Sequence, residues 1–294
     1  MKRFLYILSI LIFTISACEK EIQVDLPPIT PQLVVEASVN NYSPWLNYVF
    51  ISNTIDYFKP DLSFNGMKGA TVYITPGQII NKDTIFDKAN RYTFADIGNL
   101  SVIPGFDSIT RGISGVYMNP LFKATANTSY LLEIILQDGR TISGRTHVPP
   151  IIPIDSMKVR YEAGGKGGKR NAFFTFWFND GPEQNNYRMA LRKGVDSVLL
   201  GWGSADSYRT FDDEYINNNT RPYEFLRPFT GGDTLNIYFT QIGRKEFTFW
   251  QSFGQAVNNG GPFATPGNVK SNIEGVIGSF TGYAVDFKRI VFEE

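Results

Sequence analysis

Tyr130-Leu131-Leu132-Glu133-Ile134-Ile135-Leu136-Gln137, then Asp138-Gly139, then Arg140-Thr141-Ile142-Ser143-Gly144-Arg145-Thr146-His147-Val148 is the stretch that decides the fold. Two β-prone runs flank Asp-Gly, which readily supplies the positive φ angles of a two-residue type I′ turn. The spacing predicts an antiparallel hairpin over 130–148. Working outward, strand-like runs occupy Gln32–Val39, Tyr48–Ile55, Ala70–Thr75 and Arg91–Phe94. About seven strands in such a length predict an immunoglobulin-like or transthyretin-like sandwich over 32–148.

Pro149, Pro150 and Pro153 interrupt the pattern. Proline has no ladder donor and restricts its predecessor, so 149–155 reads as a linker. A second set of strands covers Ser156–Glu162, Ala172–Phe178, Tyr187–Lys193, Ser197–Gly203, Thr234–Gln241, Gly275–Thr281 and Tyr283–Phe292. Phe173 to Phe178 is apolar at nearly every position, the pattern of a strand buried on both faces. Phe247, Trp250, Gly254 and Val257 follow helical spacing and predict one amphipathic helix near 244–257, packed along an aromatic stripe. The expected fold class is all-β, with a second β-sandwich or barrel-like domain over 156–294. The 24 Phe, 15 Tyr, 27 Gly and 16 Pro suit that class.

The N-terminus reads as a signal. Lys2 and Arg3 precede an apolar run from Phe4 to Ile15, then Ser16-Ala17-Cys18. A basic start, a short apolar core and small residues before a cut describe a secretory signal over 1–17, and the cut site resembles the bacterial lipobox. Cys18 is the sole cysteine, so no intrachain disulfide is available to it; acylated, it would hold the chain to a membrane through two or more acyl chains. Residues 18–31 form a proline-rich tether. Glu19-Lys20-Glu21 resembles the surface-export signal of Bacteroidota lipoproteins. Removing residues 1–17 leaves 277 of the 294 residues, with 26 basic side chains (28 less Lys2 and Arg3) against 28 acidic ones. No basic face for nucleic acid is implied.

Chemistry-bearing residues are sparse. His147 is the only histidine, so a Ser-His-Asp triad or a histidine-bearing zinc site would have to be built on it. Gly164-Gly165-Lys166-Gly167-Gly168-Lys169 lacks the Ser or Thr and the following helix of a phosphate loop. Asp212-Asp213-Glu214 is the densest acidic cluster: a candidate for a hard cation, for paired-carboxylate hydrolysis, or simply a solvated loop. Trp202 lies between Gly201 and Gly203, and Tyr208 and Tyr215 decorate a long connection over 204–232, beside Phe211 and Tyr223. Such aromatics form a candidate binding surface or pin the loop to its own sandwich. Asp followed by Ser or Thr and an aliphatic residue recurs at Thr84, Ser108, Ser156, Ser197 and Thr234. The pattern resembles a Bacteroidota O-glycosylation acceptor and equally marks a turn entering a strand.

Phe178-Asn179-Asp180-Gly181-Pro182 followed by Asn186-Tyr187-Arg188 resembles a motif of one family. So do Gly261-Pro262-Phe263-Ala264-Thr265-Pro266-Gly267-Asn268-Val269 and Asn272-Ile273-Glu274-Gly275-Val276-Ile277-Gly278-Ser279-Phe280. With the lipobox, Val34-Val35-Glu36 and Asp138-Gly139-Arg140, they resemble the DUF4249 lipoproteins of Bacteroidota over essentially the whole mature chain. Gly181 departs from the family pattern by separating Asp180 from Pro182. The resemblance implies a cell-surface-exposed outer-membrane lipoprotein, often encoded beside a TonB-dependent receptor, with no established reaction, no catalytic residues and no cofactor. The expected function is therefore a non-enzymatic accessory that binds a small ligand, peptide or glycan, or docks on that receptor. A surface hydrolase using the acidic cluster and a structural or adhesive lipoprotein are the alternatives.

Overall fold

The computed structural model describes residues 30–54, 66–81, 83–98, 113–194, 207–214, 220–258 and 268–294. Numbered along the chain, the strands are β1 (Leu33–Asn40), β2 (Tyr48–Asn53), β3 (Thr71–Ile80), β4 (Asp83–Phe86), β5 (Tyr92–Asp96), β6 (Val116–Met118), β7 (Thr128–Ile135) and β8 (Thr141–Val148). They continue as β9 (Ile154–Glu162), β10 (Asn171–Asn179), β11 (Asn186–Lys193), β12 (Ser207–Asp212), β13 (Thr220–Glu224), β14 (Phe229–Thr230) and β15 (Thr234–Ile242). Helix α1 (Arg244–Asn258) and the long strand β16 (Ile277–Val291) complete the described order. The protein is all-β with one α-helix among the described residues, and its sheets are open rather than closed into a barrel.

The central hairpin forms as β7 and β8, with Ile135 opposite Thr141 and Thr128 opposite Val148. Its turn is not type I′. Gly139 N donates to Leu136 O at 3.0 Å, Leu136 N donates to Arg140 O at 2.9 Å, and of Asp138 and Gly139 only the glycine has positive φ, at 84°. That is a type I turn closed by a left-handed glycine, the three-residue solution in which Asp138 keeps an ordinary conformation. Asp138 Oδ1 then accepts from Arg140 N at 3.0 Å. Along β8, Ile142, Gly144, Thr146 and Val148 are buried, while Thr141, Ser143 and Arg145 face outward and His147 is half-buried.

Twelve strands join one sheet in the order β12-β11-β15-β16-β1-β2-β6-β5-β3-β7-β8, with β4 paired to β3. A second sheet has β9 on one side of β10, and β13 and β14 on the other. The runs read separately as Gly275–Thr281 and Tyr283–Phe292 are one strand, β16. Its first half lies parallel to β1, from Ile277 beside Val34 to Tyr283 beside Asn40. Its second half runs antiparallel to β15, from Ala284 opposite Gln241 to Val291 opposite Thr234. Two glycines let neighbouring backbone approach this strand closely. A Cβ on Gly278, whose φ is 149°, would lie 1.7 Å from Val35 O, and one on Gly282 would lie 2.5 Å from His147 O. No larger residue fits either position without displacing backbone.

Two main cores result. One gathers Val35, Ile51, Val72, Ile74, Leu132 and Ile134 with Phe280 of β16. The other gathers Phe174, Phe176, Phe178, Tyr187, Phe239 and Phe292, a chiefly aromatic core between the two sheets. Here β10 differs from expectation: Ala172, Phe174, Phe176 and Phe178 are buried, but Phe173, Thr175 and Trp177 are partly exposed. Only one face of β10 packs on the aromatic core. Helix α1 also packs by only part of its predicted stripe. Phe247 and Phe249 are buried, whereas Phe253 and Val257 at its far end are 43% and 64% exposed. The helix is pinned instead by Trp250, whose ring lies 3.7 Å from the buried Arg188 guanidinium and whose Nε1 donates to Thr281 Oγ1 at 3.2 Å.

Candidate functional site: a cationic groove at the start of the helix

Three adjoining cavities of about 790, 420 and 320 Å³ run from the start of β1 to the first turn of α1, which borders the last two. Ser271, Ile273 and Glu274 line the first two, and Arg244 and Lys245 line the last two, so they form one groove. It runs from Pro31–Leu33 at the start of β1 to His147 on β8. Five cations line it: Arg140, Arg145, Arg244, Lys245 and Lys270. Arg140 is paired with Asp138 at 2.8 Å and Arg244 with Asp212 at 3.1 Å. Arg145, Lys245 and Lys270 have no ion-pair partner among the described residues, and Arg145 lies over the Phe86 ring at 5.3 Å.

Two acids also line the groove, fewer than its cations. Glu274 is exposed. Glu246 is 5% exposed beneath the first helical turn, where its Oε1 accepts from Thr146 Oγ1 at 2.9 Å and Asn272 Nδ2 at 3.2 Å. Burial pushes its carboxyl above the ordinary range, outweighing the lowering by its own backbone N–H, Thr146, Lys245 and Asn272. His147 lies in the same groove, with Nδ1 3.0 Å from Ser129 Oγ across the hairpin. Burial lowers the imidazole's pKa and keeps it neutral at pH 7. A serine–histidine pair becomes a nucleophile and base when a third group orients the imidazole. No carboxylate hydrogen-bonds to His147 among the described residues, because Glu246 is engaged by Thr146 and Asn272. The arrangement suits recognition of an anion better than acyl transfer.

The acidic cluster is pulled in three directions. Asp212 ends β12 and pairs with Arg244, and Glu214 is exposed. Asp213, 3% exposed, turns inward, where its Oδ2 accepts from Asn185 N at 2.7 Å. Its neighbour there is Asp180, 2% exposed, which accepts from Tyr187 Oη and from Asn185 Nδ2 at 3.3 Å. Burial, and then the nearby Asp180 charge, push the Asp213 carboxyl up. Burial and Asp180 likewise push the Tyr187 phenol well above its ordinary value. Asp180 had been visible only as part of a turn motif. Nothing in its spacing from Asp213, 33 residues on, announces the meeting, which β11 and β12 create by pairing Asn186 with Asp212.

Trp202 and Tyr215 lie outside the described residues, and Tyr208 stands on β12 opposite Ala190. The segment 204–232 is not one connection, since it contains β12, β13 and β14. Phe211 and Tyr223 pack into the aromatic core, at 5.3 Å from Tyr187 and 5.4 Å from Phe176 respectively, which is pinning rather than display. Cys18, Ser108 and Ser197 also lie outside the described residues. Thr84 and Ser156 are exposed near the starts of β4 and β9, and Thr234 is partly buried as the first residue of β15. Among the described residues, no helix is long and apolar enough to cross a membrane.

No curated protein matches the chain. Among solved structures, a DUF3823 family protein from Bacteroides uniformis is similar at 9% identity, covering 90% of this chain and 100% of its own, with a TM-score of 0.24. The family described as a domain of unknown function, DUF4249, matches residues 19–289, the span that holds the groove, the buried acidic pair and both cores except the last residues of β16 and Phe292; the chain belongs to that family.

Proposed function

We propose that this chain is an outer-membrane lipoprotein, held by acyl chains on Cys18 and exposed at the cell surface, that serves as a binding accessory of a TonB-dependent transporter. Its ligand is an extended molecule bearing carboxylate or phosphate groups, such as an acidic peptide or glycan. The observation that carries this reading is the groove itself, with three cations that have no ion-pair partner among the described residues and a neutral histidine at its edge. A volume of several hundred Å³ with a few convergent polar groups is the usual form of a ligand site. The proline-rich tether supplies reach to a neighbouring barrel. A hydrolase built on Asp212, Asp213 and Glu214 draws no support, because the three side chains do not converge on a cleft.

The test is purification of the acylated protein from outer membranes in mild detergent, with copurifying proteins identified by mass spectrometry. A TonB-dependent receptor at comparable abundance is the expected result. The paired variant Arg145→Glu with Lys245→Glu, both groove residues, is expected to weaken capture of the anionic ligand at least tenfold. A native preparation devoid of receptor, or a charge-reversed groove that binds as before, refutes the reading.

A further inference from the structure

The hairpin of β3 and β4 outgrows its sheet. β5 follows β3 only as far as Ile74 opposite Tyr92, and β7 only to Pro76 opposite Tyr130. Beyond them, among the described residues, Gly77–Ile80 pairs with Asp83–Phe86 and with no other strand. Three isoleucines stand on this two-stranded arm: Ile79 at 70% exposure, Ile80 at 46% and Ile85 at 48%. Alternation puts Ile79 on one face, in the row of Thr84, and Ile80 and Ile85 on the other, in the rows of Asp83 and Gln78. Both faces of the arm therefore offer aliphatic surface to water. A protein partner would cover one face and leave the other wet, and it would favour Trp, Tyr or Arg, none of which lies between Gly77 and Asp87. A lipid surface takes both faces at once. Lys82 and Asp83 cancel in charge at the tip. At the base, Thr84 and Phe86 line the same cavity as Arg145, Arg244 and Lys245. Arg145 and Lys245 have no ion-pair partner among the described residues and Glu246 is buried, so the base presents positive charge.

We propose that the β3–β4 arm is a membrane contact: Ile79, Ile80 and Ile85 enter the headgroup region of a bilayer, and Arg145 and Lys245 meet its anionic headgroups. The inference rests on the reading that acylated Cys18 holds the chain to that bilayer. Fully extended, the chain from Cys18 to Thr30 reaches at most about 40 Å, which lets the acyl chains and the arm enter one membrane. Depth is limited by the backbone. Past Gly77 the outer edges of both strands pair with nothing among the described residues, and such edges stay where water reaches them. The acyl chains hold the protein, and the arm orients it. Thr84 and Phe86 share their cavity with His147, so an inserted arm brings the His147 end of the groove to the membrane surface.

The test uses the acylated protein in phosphatidylglycerol vesicles, with a nitrobenzoxadiazole label on Ile80→Cys or, as control, on Lys158→Cys of the exposed strand β9. Acylation consumes Cys18, so each variant has a single free thiol. Flotation with the vesicles reads the anchor, and the label reads the arm. On Ile80→Cys the emission is expected to shift to the blue and to be quenched by lipids brominated high on their acyl chains; on Lys158→Cys neither is expected. Adding Ile79→Ser and Ile85→Ser should return the Ile80→Cys label to the control level, and phosphatidylcholine vesicles should weaken its quenching. Protein that floats while the two labels stay equally wet overturns the arm and leaves the anchor standing. Protein that does not float overturns the anchor, and the arm with it. Quenching that survives both serines, or is equal in phosphatidylcholine, also overturns the inference. So does a label shielded in native outer membranes but not in vesicles, which assigns the arm to a protein partner.

Discussion

Replacing Phe176 and Trp177 by alanine, one at a time, tests which face of β10 holds the second core. Phe176 is wholly buried, with ring centroids 5.4 Å from Tyr223, 5.4 Å from Phe239 and 6.3 Å from Phe225. Its truncation removes the transfer free energy of a buried ring and leaves a cavity among other rings that cannot close over it. Core Phe→Ala changes cost about 3–5 kcal/mol. Trp177 is larger but faces the partly exposed side of the same strand. At ~25 cal/mol per Å² of apolar surface, removing a partly covered indole costs about 1–2 kcal/mol. In a protein of this size each kcal/mol moves the melting temperature by roughly 2–4 °C. Phe176→Ala should therefore lower it by about 10 °C, and Trp177→Ala by only a few degrees. Differential scanning fluorimetry with matched urea titrations reads both, and Phe176→Leu keeps the comparison usable if the alanine variant fails to fold. If Trp177→Ala proves as damaging as Phe176→Ala, the assignment of the core face is wrong.

Gly282→Ala would place a methyl 2.5 Å from His147 O, so β8 must lift from β16; a loss of about 1–3 kcal/mol in urea unfolding is expected, and an unchanged midpoint would contradict the close approach. Glu246 gives a pH signature. Its folded pKa is raised, so its contribution to stability is fully present below the unfolded value near 4.5 and is lost as pH rises through the folded value. Stability of wild type relative to Glu246→Gln should fall over that window, by at most about 1.4 kcal/mol per pH unit. Parallel stability curves from pH 4 to 8 would mean that the carboxyl is not desolvated.

Much of the fold was legible because it is written in short-range patterns. The strand pattern of β7 and β8 and the helical spacing of Phe247 and Trp250 are local signals, and each element appears where its pattern stands. The errors share a physical source. Phe173 to Phe178 looked buried on both faces because composition does not say which neighbours a strand will have. In fact β9 pairs edge-to-edge with β10, and no layer covers Phe173 and Trp177 fully. The Asp138-Gly139 turn was assigned from the favoured turn of a two-residue loop, while the register with Ile135 opposite Thr141 demanded one more residue.

Site residues were harder to read, because the groove is assembled by a non-local event. β16 places β1 on one side and β15 on the other, and no periodicity predicts a parallel pairing between residues more than 240 positions apart. That pairing sets Ile273 and Lys270 against the start of α1, and so gathers cations from 140, 145, 244, 245 and 270 around one groove. Each is unremarkable in its own segment. The acidic cluster shows the converse: Asp212, Asp213 and Glu214 looked like one feature because they are adjacent, yet alternation along the strand end sends Asp212 to Arg244 and Asp213 to Asp180. Adjacency in sequence opposes side chains in a strand, while partners that share a function come from the next strand over. In this chain, then, a charged residue's likeliest partner is read from the sheet order, and motif density is a guide to turns before it is a guide to sites.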